Sequence, residues 1–334
     1  MKRALTVVAA TALLAGGSSV AFAATPDDPC QTWTGSMTVT KLQAYDRCRF
    51  DRLDAAVAAL ASKPAPAPTP TTTPAPTTPT TAPTVATAAT LKEIALELTA
   101  TAENSTKNWT SSYGYIEDIG DGRGYTGGIV GWCSGTGDML ALVQAYQAAT
   151  PGNALEKWLP QLKQINAAPY ANRPALSHSL LGSAFLADWA AAAKTAGFQA
   201  AQQAERDRVY WNPAAAQAKT DGLGPLGLAI YYDISVNHGP GTDSESFGGI
   251  IAGVKAAGVK TPAQGGDEKT FLTAVVNARD AVLKGWGDWQ SNGRSGIHRK
   301  FLADNNLTLA YPLTWSVYGD TYTITTGPTT PGGV

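Results

Sequence analysis

The chain has 334 residues, with 25 Lys+Arg against 26 Asp+Glu and a formal net charge of −1. That length allows one large domain with appendages, and the absence of a basic excess speaks against a nucleic-acid partner. At the start, Lys2 and Arg3 precede an apolar run from Ala4 to Ala15 and small residues ending Ala21-Phe22-Ala23. This pattern predicts a signal peptide over 1–23 and a secreted, extracellular protein. The run is too short and too rich in alanine to span a bilayer, and no later stretch qualifies, so no membrane association is expected.

Residues 24–62 read as a small module whose last part, KLQAYDRCRFDRLDAAVAALA, has Leu53, Ala56, Val57 and Leu60 at helical spacing. Cys30 and Cys48 lie close together in an exported segment, and a unit this small needs a staple, so a Cys30–Cys48 disulfide is expected. Trp33, Tyr45 and Phe50 could hold polysaccharide there, or the module could be a structural appendage. Residues 63–89 are dominated by Pro, Thr and Ala, the composition of an extended, semi-rigid linker.

The main domain is expected over 90–325. Thr90-x-x-Glu93 carries a capping-box signature, and Leu91, Ile94, Ala95 and Leu98 give the following helix an apolar face out to Glu103. A glycine-dense ribbon comes next, with Tyr113, Tyr115, Ile119 and residues 125–130 predicting a hairpin or a three-stranded sheet turned at residues 120–124. Helices are predicted over 136–149 and from Asn153-x-x-Glu156 through Ile165, the latter kinked at Pro160. Residues 167–182 read as a loop. Further helices are expected at about 184–196, 198–210, 213–221, 223–236, 244–257, 267–285 and 296–303, with a frayed tail over 326–334. One small sheet among many helices makes a mainly helical α+β protein.

The chemistry concentrates between Glu103 and Asp138, where Glu117, Asp118 and Asp121 sit on a ribbon between a carboxylate at a helix end and one at a helix start. Two carboxylates on separate rigid elements, across a gap a sugar could fill, are what acid-assisted glycoside hydrolysis requires. Singly, Glu103 is an ordinary solvated helix-end acid and Asp121 an ordinary turn residue; their clustering in an aromatic-rich stretch of an exported chain favours the functional reading. Gly122-x-Gly124-x-x-Gly127 matches the dinucleotide fingerprint in letters, but no helix is predicted to begin there and no βαβ pattern surrounds it. His178, His238 and His298 show no metal spacing, no G-x-S-x-G elbow is present, and Cys133, within an apolar run, reads as a buried thiol. No cofactor or metal is expected. The main domain has a slight acidic excess, which suits a cationic ligand.

At AENS (102–105), YIEDIGDGRGYTGGI (115–129), CSGTGDML (133–140), ERDRVYW (205–211), NHGPG (237–241), FGGI (247–250) and TPAQGGDE (261–268) the chain resembles the chitosanases of glycoside hydrolase family 46, over residues 91–324. The resemblance implies a lysozyme-like fold, with two mainly helical lobes and a small sheet beside a central cleft. It implies a monomeric, endo-acting enzyme that cuts β-1,4-linked glucosamine polymer, chitosan, with inversion. It makes Glu103 the general acid and Asp121 the general base, with Thr126 holding the attacking water. Asp138 would meet a sugar amine, and Ser105, Tyr115, Glu117, Arg123, Tyr210 and His238 would be further substrate contacts. Asp233, Arg279 and Arg294 match an ion network behind the base, which could equally hold the fold with no catalytic part. The segment LKGWGDWQSNG (283–293) departs from the family's acidic character there, with Trp286 and Trp289 in its place. A peptidoglycan-cutting muramidase and a non-catalytic wall-binding protein are the alternatives.

Overall fold

The structure, a computed structural model, describes residues 88–328. The expected signal peptide, the 24–62 module with its Cys30–Cys48 bridge, the linker up to residue 87 and the end of the tail lie outside the described residues.

The described chain is mainly helical with two small sheets. Helix α1 (Ala88–Asn104) buries Ile94, Ala95 and Leu98. It begins two residues before Thr90, because alanines extend the helix readily, so Thr90 stands inside the first turn rather than capping it. Glu93 instead accepts a hydrogen bond from the Trp109 indole at 3.0 Å. After a 3₁₀ turn (Trp109–Gly114), the ribbon forms a three-stranded antiparallel sheet of two-residue strands: β1 (Ile116–Glu117), β2 (Thr126–Gly127) and β3 (Trp132–Cys133), in that order. Glu117 pairs with Thr126, and Thr126 with Cys133. Helix α2 (Asp138–Ala149) starts two residues later than Thr136, and buries Met139, Leu142, Val143 and Tyr146.

Between Glu156 and Ala192 the structure departs from the sequence reading. Asn153 does accept the Leu155 and Glu156 N–H groups, at 2.9 and 3.2 Å. However, Pro160 opens α3 (Leu159–Ala167) rather than kinking a longer helix, because proline's missing donor is harmless in a first turn. The predicted loop 167–182 contains a 3₁₀ turn (Tyr170–Asn172) and α4 (Arg173–Leu180), followed by α5 (Gly182–Ala192). Its polar sequence hid a helix whose anchor is Arg173. The buried guanidinium donates to the carbonyls of Ala168, Gly135 and Asn166 at 3.0, 2.7 and 2.8 Å.

Helix α6 (Ala196–Arg206) runs through a π turn (Asp207–Trp211) into α7 (Asn212–Asp221) without a break; the sequence had suggested two separate helices. The wide turn carries Tyr210 and is tied back to α1 by the Lys92–Asp207 ion pair at 2.5 Å. Helix α8 (Pro225–His238) is buried on nearly every side and packs on α1, α7, α9 (Phe247–Ala256), α10 (Glu268–Trp286) and α11 (Arg294–Ala303), as an element apolar all round must. A second sheet, the hairpin of β4 (Leu313–Val317) and β5 (Asp320–Ile324), was not anticipated. Its Leu313, Trp315 and Val317 point inward at alternate positions, and the Trp315 indole donates to Thr101 on α1 at 3.0 Å. No helix among the described residues is long and apolar enough to cross a membrane.

Candidate active site

The turn between β1 and β2 positions Asp121. Gly120, Gly122 and Gly124 all have φ near +80°, so an L side chain at any of them would be strained. At Gly124 a Cβ would also meet the hydroxyls of Ser134 and Ser177 at 2.5 Å. Within this turn Asp121 accepts the Arg123 backbone N–H at 3.0 Å and its guanidinium at 2.6 and 2.8 Å. The carboxylate is 26% exposed. Three bonds from one neighbour fix its direction while leaving an edge open to solvent.

The turn is also clasped from outside. Asp118 accepts the Gly120 N–H at 2.8 Å and pairs with His178 of α4 at 2.6 Å; the other nitrogen of that ring lies 3.1 Å from the Tyr125 hydroxyl. The Gly120 N–H, with help from His178, holds the Asp118 carboxyl below its usual range. His178 had been read only for metal spacing, and its proximity to the turn is set by α4, the helix that sequence reading missed.

Just before β1, the Tyr115 hydroxyl donates to Glu117 at 2.5 Å. Burial and that carboxylate push the phenol up to about 12. On β2, Thr126 is buried, its hydroxyl 3.3 Å from Cys133 Sγ. Cys133 is a buried thiol, as expected; burial pushes it up to about 12, so it is no nucleophile at neutral pH. Asp138 at the start of α2 accepts the N–H groups of Cys133 and Met139, both at 2.9 Å, and the Thr136 hydroxyl at 2.5 Å. Burial pushes its carboxyl up to about 6 against the pull of these donors. Burial raises the phenol of Tyr210 on the π turn, and the nearby charge of Asp138 raises it further.

Glu103 sits in the last turn of α1, 39% exposed on its side chain, and its carboxylate takes a hydrogen bond from Arg294 of α11. It lines a small pocket with Trp109, Ile129, Val130, Arg206 and Tyr232, which brings the end of α1 against the β2–β3 connection of the ribbon. Ser105, two residues on, takes a left-handed φ of 51° and is exposed. Each candidate catalytic carboxylate is thus held by a different arginine on a different element.

Behind Glu103 lies a buried knot. Asp233 of α8 pairs with Arg279 of α10 at 2.9 Å and with Arg294 at 3.4 Å, and its carboxylate is 3.7 Å from His298. Burial alone would raise the Asp233 carboxyl, but the two arginine charges overcome it and hold it well below the usual carboxylate range. His298 is driven down to about 3 by burial and so stays neutral; its Nδ1 lies 3.2 Å from Arg279. Arg294 therefore has one end in this knot and the other on Glu103. His238 is buried beneath Trp286, ring centroids 4.8 Å apart, with Nδ1 3.0 Å from the Glu245 carbonyl. It underlies the surface rather than forming it. No group of three or more His, Cys, Asp or Glu among the described residues is arranged to hold a metal ion.

The sequence profile of Glycosyl hydrolase family 46 matches residues 97–313. A chitosanase of Streptomyces sp. (strain N174) is 54% identical over 235 residues, which is 70% of this chain and 81% of that protein. A chitosanase of Nocardioides sp. (strain N106) is 51% identical over the same shares. Among solved structures, the co-crystal structure of chitosanase OU01 with substrate superposes with a TM-score of 0.64 at 47% identity, covering 70% of this chain and 95% of that one. The acid-lined ribbon, the arginine-held Glu103 and this match across most of the described chain agree: the protein belongs to glycosyl hydrolase family 46.

Proposed function

We propose that the protein is a secreted chitosanase that hydrolyses β-1,4 bonds between glucosamine units, endo-acting and with inversion, in a groove between two lobes of a lysozyme-like fold. Glu103 protonates the leaving oxygen, and Asp121 draws a proton from water on the opposite sugar face. Thr126 helps seat that water. Asp138 meets a sugar ammonium; Glu117, with Tyr115 bonded to it, extends the anionic lining. Arg123 aims Asp121, Ser105 and Tyr210 shape the groove, and His238 supports it from beneath Trp286. Asp233 and Arg279 hold Arg294, and Arg294 holds Glu103. A disulfide-stapled module over 24–62, on a Pro/Thr linker, accompanies this domain, either to hold polysaccharide or as a structural or oligomerising appendage.

The observation that carries this reading is that two partly exposed carboxylates, on separate elements, are each held by an arginine, with further acids along the ribbon. A protonated glucosamine polymer is attracted to that bank, whereas an anionic polymer is repelled. An inverting pair also needs carboxyl groups roughly 6.5–9.5 Å apart, leaving room for the water. The test is proton NMR of the first products from chitosan, with peptidoglycan assayed alongside. New α-anomer reducing ends from chitosan alone are expected. Release of β-anomer would remove the inverting assignment, and turnover of peptidoglycan alone would remove the substrate.

A further inference from the structure

A hydroxyl that seats an attacking water can do so in two opposed ways. If it donates to the water, it occupies a lone pair of the oxygen that must attack carbon. If it accepts from the water, that oxygen keeps its lone pairs for the sugar and still has a second hydrogen for the base. The choice rests on where the hydroxyl sends its own hydrogen. A hydroxyl hydrogen rotates to suit its surroundings, so only a fixed acceptor settles the direction.

For Thr126 that acceptor is Cys133. The two residues pair across β2 and β3, both buried, with Oγ1 and Sγ 3.3 Å apart. By themselves, either atom could donate. A second contact decides it. The thiol lies 3.4 Å from the Gly131 carbonyl, and a carbonyl can only accept. The one thiol hydrogen therefore goes to Gly131, and Sγ accepts from Thr126. The β2–β3 turn presents that carbonyl: Gly131 has a φ of 73°, and its N–H donates to Gly128 at 3.3 Å. The same glycine places the threonine. A Cβ at Gly131 would stand 3.3 Å from the Thr126 methyl, and a β-branched side chain whose methyl is placed has its hydroxyl placed too. Cys133 is anchored through its main chain as well, its N–H donating to Asp138 at 2.9 Å. Burial, then the charge of Asp138 and more weakly that of Asp121, push the thiol up to about 12. It therefore keeps its hydrogen at neutral pH.

We propose that Cys133 is a positioning residue: by accepting the Thr126 hydroxyl hydrogen, it turns the lone pairs of that oxygen toward the attacking water. The water then gives one hydrogen bond to Thr126 and one to Asp121, so this rests on the chitosanase reading above. In the reaction step the water oxygen bonds the anomeric carbon and its proton passes to Asp121. The bond to the leaving oxygen breaks, and Glu103 gives that oxygen its proton; Thr126 and Cys133 exchange none.

The test is a set of variants assayed on glucosamine oligomers. Cys133→Ala should lower kcat about tenfold with KM unchanged. Cys133→Ser, which can donate to Gly131 and accept from Thr126, should recover most of that loss whatever its melting temperature. A purely structural thiol would make kcat follow the melting temperature instead. In a Thr126→Val background, Cys133→Ala should cost no further kcat. An equal loss in both backgrounds, or a serine variant as slow as the alanine one, overturns the positioning role. The hydrogen-bond chain is read separately, by the S–H stretching band that disappears in Cys133→Ala. In Thr126→Val this band should move to higher frequency, because a thiol that no longer accepts donates less strongly; an unmoved band overturns the chain. A wild type that leaves chitosan intact while the band still shifts removes the chitosanase reading and leaves the Thr126–Cys133–Gly131 chain standing.

Discussion

The ribbon and the buried knot hold charge in opposite ways. In the ribbon every acid has a partner close by: Asp121 has Arg123, Asp118 has Gly120 beside its more distant His178, and Asp138 has Thr136 and Met139. In the knot, Asp233, Arg279 and Arg294 come from three helices, and no two of them are near in sequence. The first arrangement needs a turn of the right shape; the second needs the whole α8–α10–α11 packing. Acids held locally can stay partly open to solvent and meet a substrate. The acid held by the tertiary fold can only act through Arg294, which it aims.

Four experiments press on that contrast, from the largest effect down. Glu103→Gln should lower kcat by about 10²–10⁴-fold with the melting temperature hardly moved, because the side chain is exposed and its neighbour Arg294 keeps Asp233. Asp233→Asn should instead act through stability. It leaves Arg279 buried without its counter-charge and Arg294 with Glu103 alone, a loss of about 3–5 kcal/mol readable by urea unfolding. The sign in pH follows from the lowered carboxyl: its stabilisation is complete above the unfolded value of about 3.9 and is lost as pH falls through the folded one. The gap between wild type and variant should therefore close in strong acid.

Asp138→Asn should raise KM for glucosamine oligomers about tenfold, through loss of a charged hydrogen-bond partner. Its stability effect runs the other way. The folded carboxyl titrates at about 6, above its unfolded value, so the native state loses stability as pH rises from about 4 to 6. The amide variant should match or exceed wild type in melting temperature at pH 7, and lose any advantage below pH 4. A variant markedly less stable at pH 7 would mean that the carboxylate itself is the favoured native form. Smallest is His178→Ala, which removes a partly exposed pair worth at most about 1 kcal/mol. Amide exchange over residues 120–124 should quicken about fivefold while exchange in α8 stays constant; equal change in both would mean that His178 supports the whole fold and not the turn.

Much of the ribbon was legible because its devices are local. Glycines around Asp121, the carboxylate at the end of α1 and the carboxylate at the start of α2 are visible in the letters, and for Asp121 and Asp138 a residue two places away completes the turn. The helical content was legible from apolar spacing at Leu142, Val143 and Tyr146, or at Phe271, Val275 and Val276. What escaped notice depended on distant partners. Arg173 anchors α4 through three carbonyls, one of them Gly135's, and no local pattern announces that. Strand β4 alternates buried and exposed residues, a signal present in LTWSV but short enough to go unassigned. His178 and His298 looked alike in sequence; only the fold separates an exposed clasp from a neutral ring in the core.

The π turn at Asp207–Trp211 carries a further consequence. A turn widened by one residue shifts everything after it by about 100° around the helix axis. Removing any single residue there would let the helix run on regularly and swing either Tyr210 or the buried face of α7 out of place, whichever residue was removed. Tolerance along this segment is thus governed by how many residues it has rather than by which ones. A homologue one residue shorter would need a different side chain beside Asp138.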